Sequence, residues 1–158
     1  MSVQETDSNM IDALLMQGHI DVLDYEFART INDIEPTPDS DDLKLWAALT
    51  SQWLQRGHVC LEADDDALAQ LTVKTPGTSE PIALTMPDVT SLDRFACVGS
   101  PGTFAPMTRC GQRLYLTRYW QYETCISDGV RRRTAEPSST EDRATPNVDP
   151  LERFGTET

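Results

Sequence analysis

Three arginines interleaved with aromatic rings, Arg109, Arg113 and Arg118 among Tyr115, Tyr119 and Trp120, are the densest chemistry in this 158-residue chain. Guanidinium groups neutralise phosphates and aromatic faces stack on bases, so this pattern is one a single-strand binder would use. Arg131, Arg132 and Arg133 form a second basic cluster, and Trp46 and Trp53, seven residues apart, put two indoles on one side of a helix. The competing use of such rings is core packing. It is the preferred reading for Trp46 and Trp53, because leucines and alanines fill the rest of their face and only Lys44 and Arg56 bring positive charge nearby. Tyr115, Tyr119 and Trp120 are read in the same way, as the closing wall of one core.

Catalytic chemistry is harder to assemble. His19 and His58 are the only imidazoles, and neither is placed by sequence beside a nucleophile and an orienting acid. Asp64, Asp65 and Asp66 lack the spread of ligands and closing Glu of a calcium loop, so they read as capping carboxylates at a helix start. Neither G-x-x-x-x-G-K-[ST] nor G-x-G-x-x-G occurs, which removes the common nucleotide-phosphate grips. Cys60, Cys97, Cys110 and Cys125 are widely spaced with no C-x-x-C, and the reading is four free core thiols rather than disulfides or zinc ligands. No catalytic, ATP-binding or metal residue is assigned, and no cofactor is expected.

Charge argues against a primary nucleic-acid role. Thirteen Lys and Arg face twenty-six Asp and Glu, a net charge of −13, and the acidity lies mainly within residues 1–130, with eight basic and twenty acidic side chains. Such a chain is soluble and is steered toward basic protein surfaces. No run approaches the roughly 20 apolar residues of a membrane span, and no signal peptide precedes Met10, so a reducing, cytoplasmic setting is expected.

The elements that must position these residues can be read from periodicity. Residues 1–8 read as a flexible start. Ile11, Leu14 and Leu15 predict a helix closed by Gly18, and Asp21 caps a second one with Leu23, Phe27 and Ile31 on one face. Ser40-Asp41-Asp42 opens the strongest helix, from Leu43 to the stop at Gly57. Val59 to Leu61 is a short strand, and a short helix carrying Ala67, Leu68 and Leu71 follows the aspartates. The stretch around Ile82 to Leu84 is loop-like. A small helix turns Leu92, Phe95 and Ala96 inward, followed by an irregular connection at Val98 to Gly102. Phe104 to Arg109 and Arg113 to Leu116 form a hairpin about Gly111, and a last helix contains "RYWQYETC". Residues 131–158 read as a disordered tail. The expected fold is α+β: a small helix-rich domain with an antiparallel hairpin or two- to three-stranded sheet.

Four segments in order carry a resemblance. "RLYLTRYWQYE" (Arg113 to Glu123), "GHVCLE" (Gly57 to Glu62), "DVLDYEFART" (Asp21 to Thr30) and "PMTRCG" (Pro106 to Gly111) resemble the N-terminal domain of the bacterial exodeoxyribonuclease V alpha chain, the RecD subunit of the RecBCD helicase-nuclease. The resemblance covers roughly residues 9–128. It implies that residues 9–130 are a non-catalytic domain docking a RecC-like subunit, and through it a RecB-containing complex, with DNA reached only indirectly. The parent subunit is an ATP-dependent 5′ to 3′ helicase, whose ATPase motifs follow this domain and are not carried over. Trp46, Trp53, Leu114, Tyr115, Leu116, Tyr119, Trp120 and Glu123 would then be structural or partner-docking residues. A truncated or split alpha chain would fit this reading. The alternatives are a stand-alone nucleic-acid-binding module using Arg109, Arg113 and Arg118, and a non-functional remnant.

Overall fold

The computed structural model describes residues 10–35, 40–74 and 80–135. Those up to Cys125 belong to one compact unit and those from Ile126 to a second. In the first, helix α1 (Met10–Met16) ends at Gly18, whose φ of 73° suits glycine, and α2 (Val22–Ile34) follows at once. Asp24 folds back so that its Oδ2 accepts from the Asp21 backbone N–H at 2.9 Å, satisfying a donor that the first turn leaves open. Helix α3 (Asp41–Gln55) starts where Ser40 Oγ accepts from the Leu43 N–H, and it packs against both earlier helices. It is the central element: Leu43, Leu45, Trp46, Ala47, Ala48, Leu49 and Trp53 are all buried.

The apolar face of α2 is shifted from the sequence reading. Ala28 and Ile31 are buried beside Asp24, while Leu23 is 67 % exposed and Phe27 is half-buried. The buried Asp24 explains the shift, since its carboxylate takes N–H groups from Asp21 and from the Gln55 side chain, and this turns Leu23 outward.

Beyond α3 come β1 (Leu61–Glu62), the short helix α4 (Asp66–Ala69) capped by Asp65, β2 (Thr72–Val73) and β3 (Ile82–Ala83). A 3-10 helix (Val89–Arg94) capped by Asp88 leads to β4 (Val98–Gly99), and β5 (Met107–Cys110) turns at Gly111 into β6 (Arg113–Leu116). The main sheet has four strands in the order β1-β6-β5-β4. Leu61 faces Leu114, Thr108 faces Tyr115, and both pairings are antiparallel, whereas β4 runs parallel to β5. β2 and β3 make a separate antiparallel pair.

The α+β class is thus correct: helices dominate and the antiparallel hairpin about Gly111 is present. Several details differ. The sheet gains a parallel fourth strand at Val98, where an irregular connection was expected, because Cys97 C=O accepts from the Met107 N–H. Strand β1 begins at Leu61, leaving Val59 exposed, and β5 begins at Met107, leaving Phe104 fully exposed. Ala96 also faces solvent. Only Cys97 is a buried thiol; Cys60 is half-buried, and Cys110 and Cys125 are exposed. The last helix, α5 (Thr117–Ala135), runs through Arg131, Arg132 and Arg133, where a tail was expected, and contains no buried residue. Residues 1–8 and the tail beyond Ala135 lie outside the described residues.

Candidate functional site

The candidate residues divide between two surfaces of the first unit. On one, β1 and the turn after it, the end of β5, the hairpin turn and β6 place Glu62, Asp64, Cys110, Gln112, Arg113 and Tyr115 around an open cleft of about 340 Å³. Its arginine is already matched. Glu62 and Arg113 face each other across the β1-β6 ladder, and Arg113 Nε donates to Glu62 Oε1 at 2.8 Å. Tyr115 is buried, and burial together with the neighbouring Cys60 thiol pushes its phenol up to about 12; Cys60 is itself raised by burial. Both groups therefore stay protonated at neutral pH, and neither is a nucleophile.

Arg109 is bound more firmly still. Its Nε donates to Asp93 Oδ1 at 2.6 Å, its Nη2 to Asp93 Oδ2, and its Nη1 to the Gly111 carbonyl at 2.6 Å. This fork-to-carboxylate pairing holds the Asp93 carboxyl below its usual range and ties the hairpin turn to the 3-10 helix. Two of the three arginines proposed as nucleic-acid contacts thus hold carboxylates of their own chain.

On the second surface, Leu23 and Phe27 of α2, Ser51, Leu54 and Gln55 of α3, Leu116 of β6 and Arg118 and Tyr119 of α5 line an apolar groove of about 310 Å³. Beside it a part-buried polar link, Gln55 Nε2 donating to Asp24 Oδ1 at 2.6 Å, ties α2 to the end of α3. Next to it the β5-to-α5 corner is fixed by the 2.8 Å contact of the Thr108 and Thr117 hydroxyls and by the Thr117 N–H bonding the Pro106 carbonyl. Arg118 lies over the Tyr119 ring, 5.0 Å from its centre, and forms no salt bridge among the described residues.

The structure therefore separates residues that the sequence grouped. Trp46 and Trp53 are buried, and Trp53 Nε1 donates to Asp65 Oδ2 at 3.1 Å, so they offer no stacking platform. Leu114 and Tyr115 are core, Leu116, Tyr119 and Trp120 are half-buried, and Glu123 is exposed. Tyr119 and Trp120 consequently line the surface rather than close the core. Leu23, Phe27 and Leu54 were missed as surface residues. The available signal was the width of the α2 apolar pattern: Val22, Leu23, Phe27, Ala28, Ile31 and Ile34 exceed what one buried face needs.

Neither surface is a catalytic constellation. Among the described residues no group of three or more His, Cys, Asp or Glu could hold a metal ion, and no helix is long and apolar enough to cross a membrane. No curated protein matches the sequence. The family described as RecBCD enzyme subunit RecD, N-terminal domain, matches residues 16–115, from the end of α1 to Tyr115 in β6. That span is well over half of the 158 residues, and the chain belongs to this family.

Proposed function

We propose that this RecD N-terminal domain is a non-catalytic docking domain of a RecBCD-type DNA repair helicase-nuclease. Residues 9–130 bind a RecC-like subunit and, through it, a RecB-containing complex, so that DNA is met only through the assembly. The observation that carries this reading is the family match across α2, α3 and the sheet. The geometry supports it in two ways. Arg109 and Arg113 are neutralised by Asp93 and Glu62, which removes the cations that a phosphate track would need. The α2-α3-α5 groove presents apolar side chains to solvent, as a surface for another protein would.

One observation favours the rival nucleic-acid module: Arg118 beside Tyr119 is a cation and a ring on one surface. Titration of the purified chain with a RecC-like subunit, and separately with single-stranded oligonucleotide at low salt, tests the two readings together. Saturable binding to the subunit without oligonucleotide binding is the expected result. Oligonucleotide binding that weakens steeply with salt, and no binding to the subunit, would replace the docking domain with the module.

A further inference from the structure

We propose that the groove between α2, α3 and the start of α5 receives an apolar segment of a partner protein that carries a carboxylate, and that Arg118 binds that carboxylate. The proposal rests on the docking reading above and adds the face used and the chemistry of the occupant.

Charge complementarity selects the occupant. Among the described residues Arg118 is the only charged side chain lining the groove. In a chain with twice as many acidic as basic side chains, Arg29, Lys44, Arg94, Arg109 and Arg113 each hold a carboxylate, whereas Arg118 lies against the neighbouring Tyr119 ring and hydroxyl and forms no salt bridge among the described residues. Among the described residues of the first unit Arg56 and Lys74 are also without a salt bridge, but neither lines the groove, and Arg56 lies over Trp53. The Gln55 amide that lines the groove is already committed to Asp24. The unmet interactions of the surface are therefore apolar contact at Leu23 and Phe27 and one negative charge at Arg118.

The net charge of −13 works over a different range. It is screened beyond about 8 Å at physiological salt, so it biases the approach of a partner while contact geometry decides what fits. A nucleic acid would also bring negative charge, but a single cation on an apolar surface gives it no track to follow.

The test uses the full chain and the purified RecC-like subunit, with peptides tiled across that subunit. Leu23→Asp and Arg118→Glu change exposed side chains, so folding is retained, and each should weaken binding by about tenfold or more. Val22→Asp, equally exposed at 66 % on the same helix but outside the groove, should leave binding unchanged. The captured peptide should join apolar residues to Asp or Glu, and replacing that acid by Lys should recover binding to the Arg118→Glu chain. If the wild type binds and both groove variants bind equally well, docking stands but this face and this occupant are wrong. Tighter binding by Arg118→Glu, a basic captured peptide, or Arg118-dependent capture of an oligonucleotide would each overturn the proposal. No binding of the wild type would refute the docking reading and the groove with it.

Discussion

Trp53 and Trp120 carry the same indole into different surroundings. Trp53 is buried in α3 and its Nε1 donates to Asp65, whose carboxyl is held below its usual range first by the Ala67 N–H and then by that indole. Trp53→Ala should cost roughly 3–5 kcal/mol in chemical denaturation, whereas the half-buried Trp120→Ala should cost clearly less. Equal losses would place Trp120 inside the core after all. Glu35 is the other residue with large leverage. Burial works to raise its pKa, but hydrogen bonds from the Cys97 thiol and from the Cys97 and Ala96 N–H groups outweigh this and leave it below the ordinary value of 4.5. The same contact and burial push the Cys97 thiol up to about 12, so that thiol stays protonated and inert. Because the folded pKa of Glu35 is depressed, its stabilisation is fully present above pH 4.5 and is lost as pH falls through the folded value. Glu35→Ala leaves the buried Cys97 amide and the part-buried Ala96 amide without this partner and should cost about 1–3 kcal/mol at pH 7. The difference from wild type should shrink as a series of denaturation curves is taken into acid; a difference independent of pH would show that the carboxylate charge is not the cause.

Gly99 in β4 shows what an element can demand of one position. A Cβ there would lie 2.6 Å from Thr103 Oγ1 and 3.0 Å from the Ala105 Cβ, so Gly99→Ala must push the 100–105 loop off the parallel strand. A loss of about 1–3 kcal/mol is expected in thermal or chemical unfolding, and an unchanged midpoint would mean that the loop yields freely. The same strand marks the limit of what periodicity could reveal. The Gly111 hairpin and α3 were legible because their signals are local: a turn glycine between alternating residues, and a capped run of apolar residues at helical spacing. The two-residue strands β2, β3 and β4 carry no pattern of their own and exist because another segment, nine to eleven residues away, supplies their partners. The shifted face of α2 was hidden for a related reason: a buried Asp24 is satisfied by Gln55, thirty-one residues away, and no count of apolar positions anticipates that bond. The groove was therefore readable only as a surplus of apolar residues, while the pairing of Arg109 with Asp93 and of Arg113 with Glu62 was not readable at all.

At the scale of the whole molecule, charge and surface point the same way. The acidity that argued against phosphate binding is placed where it neutralises the basic residues of the hairpin, and the groove left between α2, α3 and α5 is lined mainly by apolar side chains. The docking function we propose works by association, through the family domain spanning residues 16–115 and the surface beside it. The measurement that tests this most directly is equilibrium titration of the purified chain with a RecC-like subunit, followed by calorimetry. Saturable binding to one site per chain is the predicted result, and heat no greater than that of dilution, from a chain whose circular dichroism is that of a folded helix-rich domain, would contradict it.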